Sequence, residues 1–450
     1  MKRTLVVALT LALGPLVLAP LAPARLVQAQ DQVGELDVVA RTRKQLAELK
    51  KLLEEIRGEK LAVDVTVKYA SPETLDKESK VDIDRRYDTR ADQISRAYAR
   101  IGLFPAKYDL SSFMSAFASQ VVAFYEPVHK TFFVVKTDLG EMANESTAIH
   151  ELTHALQDQR FDLSAYYHFS KDPDPIATND DAALARRLVV EGEASYVAML
   201  HQAKQESALD KVDSFLEARA ALSRGELSKL ERRQAAQVEG GKGLLKALNA
   251  CDTLPAYLYH EMLDPYLKGP AVIARVKKAG GWKAVDELYT RPPEATKQLL
   301  HPEARGKPLD PVEIPDLAVV IGSGFKRTFE NTFGEMGTAC ILEARARTKG
   351  VPEAAAKIAA TWQGDRFQAY ETSEHETCAI WVTSWETKEA AAEFEVAGKE
   401  ILKGETASTR DSFVERRDRR VLLVLGAPRK RTKALIEATL GERTGGGEKK

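Results

Sequence analysis

The stretch STAIHELTHALQDQ, residues 146–159, sets two histidines four residues apart with a glutamate directly after the first. In an α-helix, side chains four residues apart lie about 40° apart around the axis. His150 and His154 therefore share a face and can offer imidazole nitrogens to one cation at about 2.0–2.1 Å. Glu151 is rotated onto the flank of that pair, where it can hold a water instead of the cation. Zinc requires a third protein ligand, so the chain has to bring a second element against this helix.

The segment LVVEGEASYVA supplies that ligand. The spacing predicts a helix from Asp180 to about Leu209, with Leu184, Leu188, Glu191, Ser195 and Ala198 along one stripe. A carboxylate on an apolar stripe needs a cation or a polar partner, which makes Glu191 the third ligand. Gly192 beside it would let two helices approach closely. Glu193, two residues on, points to the other side of the helix and is the alternative.

The rest of the chain divides around this pair of helices. Residues 1–29 have a basic start at Lys2 and Arg3, an apolar core from Leu5 and a small-residue end at Val27-Gln28-Ala29. They read as a secretory signal peptide cleaved after Ala29, since Pro15, Pro20 and Pro23 disfavour a continuous spanning helix. A helix, a strand in LAVDVTVKYA, a second helix over Lys80–Ile101 and a hairpin around Glu126-Pro127 lead into the histidine helix, which is expected from Asn144 to Phe161. Helices broken at Pro255, Gly269-Pro270 and Gly280-Gly281 follow. A proline-rich stretch marks a boundary near Asp310–Asp316. Beyond it, a helix with Cys340, a helix over Pro352–Trp362, a hairpin in RFQAYETSEHETCAIWVTSW, a helix over Lys388–Lys403, the strand RVLLVLG and a last helix form an α+β module over 313–441. Residues 442–450 read as a frayed tail.

HExxH on one helix with a glutamate ligand on a second resembles the gluzincin class of zinc metallopeptidases. HELTHALQDQ with VVEGEAS and then PPEATKQLLHP is similar to a poorly characterised family of bacterial, mostly exported, metallopeptidases, over about residues 95–305. The chain departs from that pattern at Ala295 and Lys297, where Ser and Glu are usual. The resemblance implies an α+β protein with a mainly helical zincin-like peptidase domain over 30–312, containing a small β-sheet, ahead of the C-terminal module. It also implies zinc held by His150, His154 and Glu191, with Glu151 as general base in the hydrolysis of a peptide or protein substrate. The oxyanion partner would be His301 of LLHPE or Tyr196. Gluzincins often carry Asp four residues after the ligand glutamate; here that residue is Ser195, which can hydrogen-bond His150 without adding charge. Asp158 either orients His154 or ends the helix. Arg160 stands where a metzincin would place a third ligand.

Two other readings use the same residues. An exported binding protein could keep the metal as a staple, though a structural site needs no base at Glu151. A di-iron protein would need a second Glu-x-x-His unit, and EGEASYV has no histidine three residues on. Composition removes further classes. With 65 Lys+Arg against 66 Asp+Glu the net charge is −1, so no long-range field points to nucleic acid or an anionic membrane. With 44% hydrophobic and 29% charged residues the chain suits a globular protein with no stable membrane insertion once the signal is removed. Of the other histidines, His129 and His375 are expected in turns, His260 in a helix, and His168 and His201 on exposed stretches. Trp381 and Trp385 are expected in the core of a sheet. Cys340 and Cys378 are the expected disulfide partners, since both fall in the C-terminal region, leaving Cys251 free.

Overall fold

The computed structural model describes residues 33–71, 90–110, 123–135, 145–167, 178–235, 245, 248–249, 251–322, 324–345, 351–403 and 410–441. The signal segment with its cleavage after Ala29, the helix start at Lys80, the Asn144 cap, His168 and the tail lie outside these residues. The fold is α+β. In order, the first part contains α1 (Val33–Arg57), β1 (Thr66–Ala70), α2 (Arg90–Ile101), β2 (Ala123–Glu126), β3 (Thr131–Val135), α3 (Glu145–Phe161), α4 (Leu163–Tyr167), α5 (Asp180–Gln205), α6 (Val212–Ala220), α7 (Arg224–Ala235), α8 (Ala256–Leu267), α9 (Gly269–Thr290) and α10 (Lys297–Leu300). The second contains α11 (Ala318–Ile321), β4 (Lys326–Asn331), α12 (Gly334–Arg345), α13 (Val351–Ala359), β5 (Trp362–Glu371), β6 (Thr377–Trp385), α14 (Lys388–Leu402), β7 (Arg410–Arg417), β8 (Arg420–Pro428) and α15 (Thr432–Leu440). No helix among the described residues is long and apolar enough to cross a membrane.

The hairpin around Glu126-Pro127 is β2 and β3, and β1 adds to β3 in parallel, giving the order β1-β3-β2 with β2 at an edge. Helix α3 packs between this sheet, α1 and α5. Residues Thr147 to Asp158 are buried without interruption, so α3 is enclosed on every side, as a helix carrying an internal site has to be. Helix α5 is nearly as buried, and Leu184, Leu188, Glu191, Ser195 and Ala198 all lie inside. Its contact with α9 depends on two glycines. A Cβ on Gly192 would stand 2.6 Å from the carbonyl carbon of Gly269, and one on Gly269 would stand 2.8 Å from the Cα of Gly192. Helix α9 is kinked at Gly280-Gly281, where Gly281 takes φ +68°, a conformation that favours glycine.

Strands β4 to β8 form one antiparallel sheet in the order β4-β5-β6-β8-β7. Its two faces bury different sets of residues. Ala379, Trp381 and Trp385 of β6 face the layer that holds α12 and α14, while Cys378, Ile380 and Val382 face the layer that holds α11 and α15. This alternation overturns the expected disulfide: Cys340 of α12 lies on one side of the sheet and Cys378 on the other, and all three cysteines are free thiols. The indoles of Trp362 and Trp381 both donate to Asp365, at 3.0 and 2.9 Å, and Trp385 stacks on Phe394. Residues Asp310 to Ile314 run against β5, with Asp310 N–H donating to the Gln363 carbonyl at 3.0 Å and Arg366 and Gln368 donating to the carbonyls of Val312 and Ile314.

The two parts meet at the start of α5 and along α10. The Asp180 carboxylate accepts from the hydroxyls of Tyr98 and Tyr257 and from Asn331 Nδ2 of β4. Lys297 sits where the resembled family has Glu. Its ammonium, 4% exposed, donates to the carbonyls of Ala360 and Trp362 and to Glu386 at 2.7–2.8 Å. Ala295, the other departure, is fully buried in the core shared with the five-stranded sheet. Both departures therefore serve to dock the C-terminal module.

Candidate metal centre

Helix α3 presents His150 and His154 towards α5, which presents Glu191 in return. The two Nε2 atoms are 3.1 Å apart, and each lies 3.3 Å from the same Glu191 oxygen, Oε2. The rings meet edge to face, with centroids 4.7 Å apart. Ligands about 2.0–2.1 Å from a tetrahedral metal stand about 3.3 Å from one another. The three donor atoms thus have the separations of one face of such a tetrahedron, and two imidazoles with a carboxylate are a zinc-type donor set. The ligating atoms of His150, Glu151 and His154 also lie within 4.8 Å of one another, so this buried group could hold a metal ion.

Glu151 follows His150 on α3 and belongs to the same buried group. Its Oε2 accepts from the Tyr125 N–H of β2 at 2.8 Å, and its Oε1 is buried with no hydrogen-bond partner among the described residues. An orphaned carboxylate oxygen in the interior is costly, so this position calls for an occupant that donates a proton. Burial pushes the Glu151 carboxyl up to about 8; the Glu191 charge adds to this, and His154 and the Tyr125 N–H oppose it. Burial lowers His150 below the usual histidine range, with Glu191 opposing. For His154 burial also lowers, but the Glu191 charge, aided by Glu151 and Gln157, raises it to about 9. Burial raises Glu191, yet the two imidazoles bring it down to about 2.

Behind the ligands the arrangement differs from expectation. Ser195 Oγ lies 3.5 Å from His150 Nδ1, at the limit of a hydrogen bond. Asp158 makes no hydrogen bond to His154. It accepts from the Tyr125 hydroxyl, Lys130 and the Leu163 N–H, which ties the end of α3 to the β2–β3 hairpin and to α4. The partner of His154 Nδ1 is Gln157 Oε1 at 2.8 Å. Sequence reasoning passed over Gln157, although its position three residues after His154 on the same helix was the available signal. Glu193, the alternative, has other partners: it pairs with Arg57 at 2.6 Å and accepts from Tyr289 and Gln157.

Neither expected oxyanion residue is hydrogen-bonded to the cluster. His301 ends α10 and pairs through Nε2 with Glu335 of α12 at 2.8 Å, which raises it above the usual histidine range. It makes no hydrogen bond or ion pair to His150, Glu151, His154 or Glu191. The motif LLHP belongs instead to the docking seam of α10. Tyr196 turns to the far side of α5, where its hydroxyl donates to Asp213. Two other tyrosines stand nearer. The ring of Tyr266 stacks over His150 with centroids 6.1 Å apart. The Tyr167 hydroxyl is buried without a hydrogen-bond partner among the described residues, and burial together with the Glu191 charge holds its pKa well above the usual tyrosine range, leaving a neutral O–H.

The remaining described histidines lie in turns or pair with carboxylates. His129 and His375 occupy turns, and His260 pairs with Asp264 in α8. His201, expected on an exposed stretch, is buried at 3% exposure, because α5 packs along α3 to its end and sets this ring against Glu145 at 3.3 Å.

A domain family of unknown function, DUF8575, matches residues 322–436. That span holds the five-stranded sheet with α12, α13 and α14 and contains none of α3 or α5. No curated protein and no solved structure matches the chain.

Proposed function

We propose that this chain is an exported zinc-dependent peptidase with a zincin-like catalytic domain, in which His150, His154 and Glu191 hold the metal and Glu151 is the general base. The observation that carries this reading is the meeting of three metal-type donors at 3.1–3.3 Å with a carboxylate that is near the ligands and has one oxygen free. A bound zinc supplies Lewis acidity towards a water and a peptide carbonyl. Glu151 Oε1 takes the proton from the attacking water and passes it to the leaving amine, while the Tyr125 N–H keeps the other oxygen fixed.

Strand β2 supports a polypeptide as substrate. Among the described strands it is the edge of its sheet, and the Tyr125 N–H donates to the base. Ala123, two residues back, presents its backbone to the same side, so an extended peptide pairing there would run past Glu151. The four cluster residues are 3% exposed or less. Export rests on residues 1–29. The test is hydrolysis of an unfolded casein-like protein by the mature chain: cleavage should stop after chelation and return with added zinc. Cleavage that survives complete removal of metal would exclude this mechanism.

A further inference from the structure

We propose that His154 is held in its metal-binding tautomer by a buried relay running from Gln157 through Glu193 to Arg57, in which a neutral amide takes the place of the carboxylate usual behind a zinc-bound histidine. This rests on the zinc reading above and assigns positioning roles that it did not contain.

An amide has one accepting end and one donating end, and the surroundings of Gln157 leave it one orientation. Its Nε2 faces the Val190 carbonyl at 3.0 Å and Glu193 Oε2 at 3.1 Å. Both are acceptors only. Turned over, the amide would set its oxygen against two other oxygens. Gln157 Oε1 must therefore face His154 Nδ1, 2.8 Å away, and that nitrogen must carry the proton. The lone pair of the neutral ring is then on Nε2, the atom directed at His150 and Glu191. Glu193 fixes the amide because it is itself fixed: Arg57 Nε approaches its Oε1 at 2.6 Å and the Tyr289 hydroxyl donates to its Oε2 at 2.5 Å. The side chains of Arg57 and Glu193 are each 1% exposed, so neither charge can turn to solvent. Arg57 is held in turn by Asp286 at 2.8 Å and by the face of Trp282. The last residue of α1 thus reaches the metal centre through three side chains.

A merely structural Glu193 would join α1 to α5 and leave the metal indifferent to its charge. The experiment measures zinc affinity by chelator competition in wild type, Gln157→Leu, Glu193→Gln and the double variant Gln157→Glu with Glu193→Gln. In Glu193→Gln the residue at 193 can present either end, Gln157 is free to turn, and a proton on His154 Nε2 blocks ligation. Each single variant should lose about 10- to 100-fold in affinity, the usual effect of disturbing a group behind a metal ligand. The double variant exchanges amide and carboxylate, restores an obligatory acceptor for His154, and should recover to within a few-fold of wild type. Single variants that bind zinc as tightly as wild type, or a folded double variant as weak as the singles, would overturn the relay. If wild type takes up no zinc, the metal reading fails by itself. The relay is then judged by nitrogen NMR of labelled histidine in alkaline solution, where the neutral ring should carry its proton on Nδ1 and a proton on Nε2 would refute it.

Discussion

Glu151→Gln should keep its zinc and lose at least about 10²- to 10⁴-fold in hydrolysis of an unfolded protein, the range usual for removing a general base. The amide has nearly the shape of the carboxylate and can still accept from the Tyr125 N–H, so the packing of α3 survives. It cannot take a proton from water. Both imidazoles and Glu191 remain in place, which separates chemistry from metal binding. Steady-state rates on matched, metal-loaded samples decide the matter. A variant that retains wild-type turnover would remove Glu151 from the mechanism, and with it the main reason to read the site as catalytic instead of structural.

The largest effect on stability is expected at Gly192. Its Cβ would have to occupy a point 2.6–2.8 Å from three backbone atoms of Gly269, and backbone cannot rotate away as a side-chain tip can. Gly192→Ala therefore forces α5 and α9 apart at the residue beside Glu191. Overpacking of this kind commonly costs about 1–3 kcal/mol, and contact with backbone sets this case at the upper end. The shift also moves Glu191 away from the two imidazoles, so zinc affinity should fall together with the unfolding temperature. A fully stable Gly192→Ala protein with unchanged zinc affinity would show that the close approach of these helices is not what sets the third ligand in place.

The parts of this site legible in the sequence are those governed by local periodicity. The step from His150 to His154 states which side chains share a face, and a glutamate on the stripe from Leu184 to Ala198 stands out because its neighbours are apolar. Gly192 was legible as a close approach, although its partner Gly269 was not. What escaped depends on pairings between distant segments. The two sides of β6 look alike until the sheet is assembled, and only then does it separate Cys340 from Cys378. Strands β4 and β7 carry charged residues at an edge and a junction, which dilutes their alternation. His301 lies in a suggestive motif, but its partner Glu335 comes from the other part of the chain, and Lys297 is engaged there as well. Gln157 shows the same limit within one helix: a glutamine acquires its meaning here from Glu193 and Val190 on α5.

Metal content tests the central claim most directly. The mature protein, purified without chelator and washed free of loosely bound ions, should carry about one zinc per chain by elemental analysis. Glu191→Ala, prepared in the same way and shown to be folded, should carry almost none, since two imidazoles alone make a weak site. A wild type without zinc that also fails to take it up at micromolar concentration would contradict the account, and so would a Glu191→Ala protein that holds zinc as tightly as wild type.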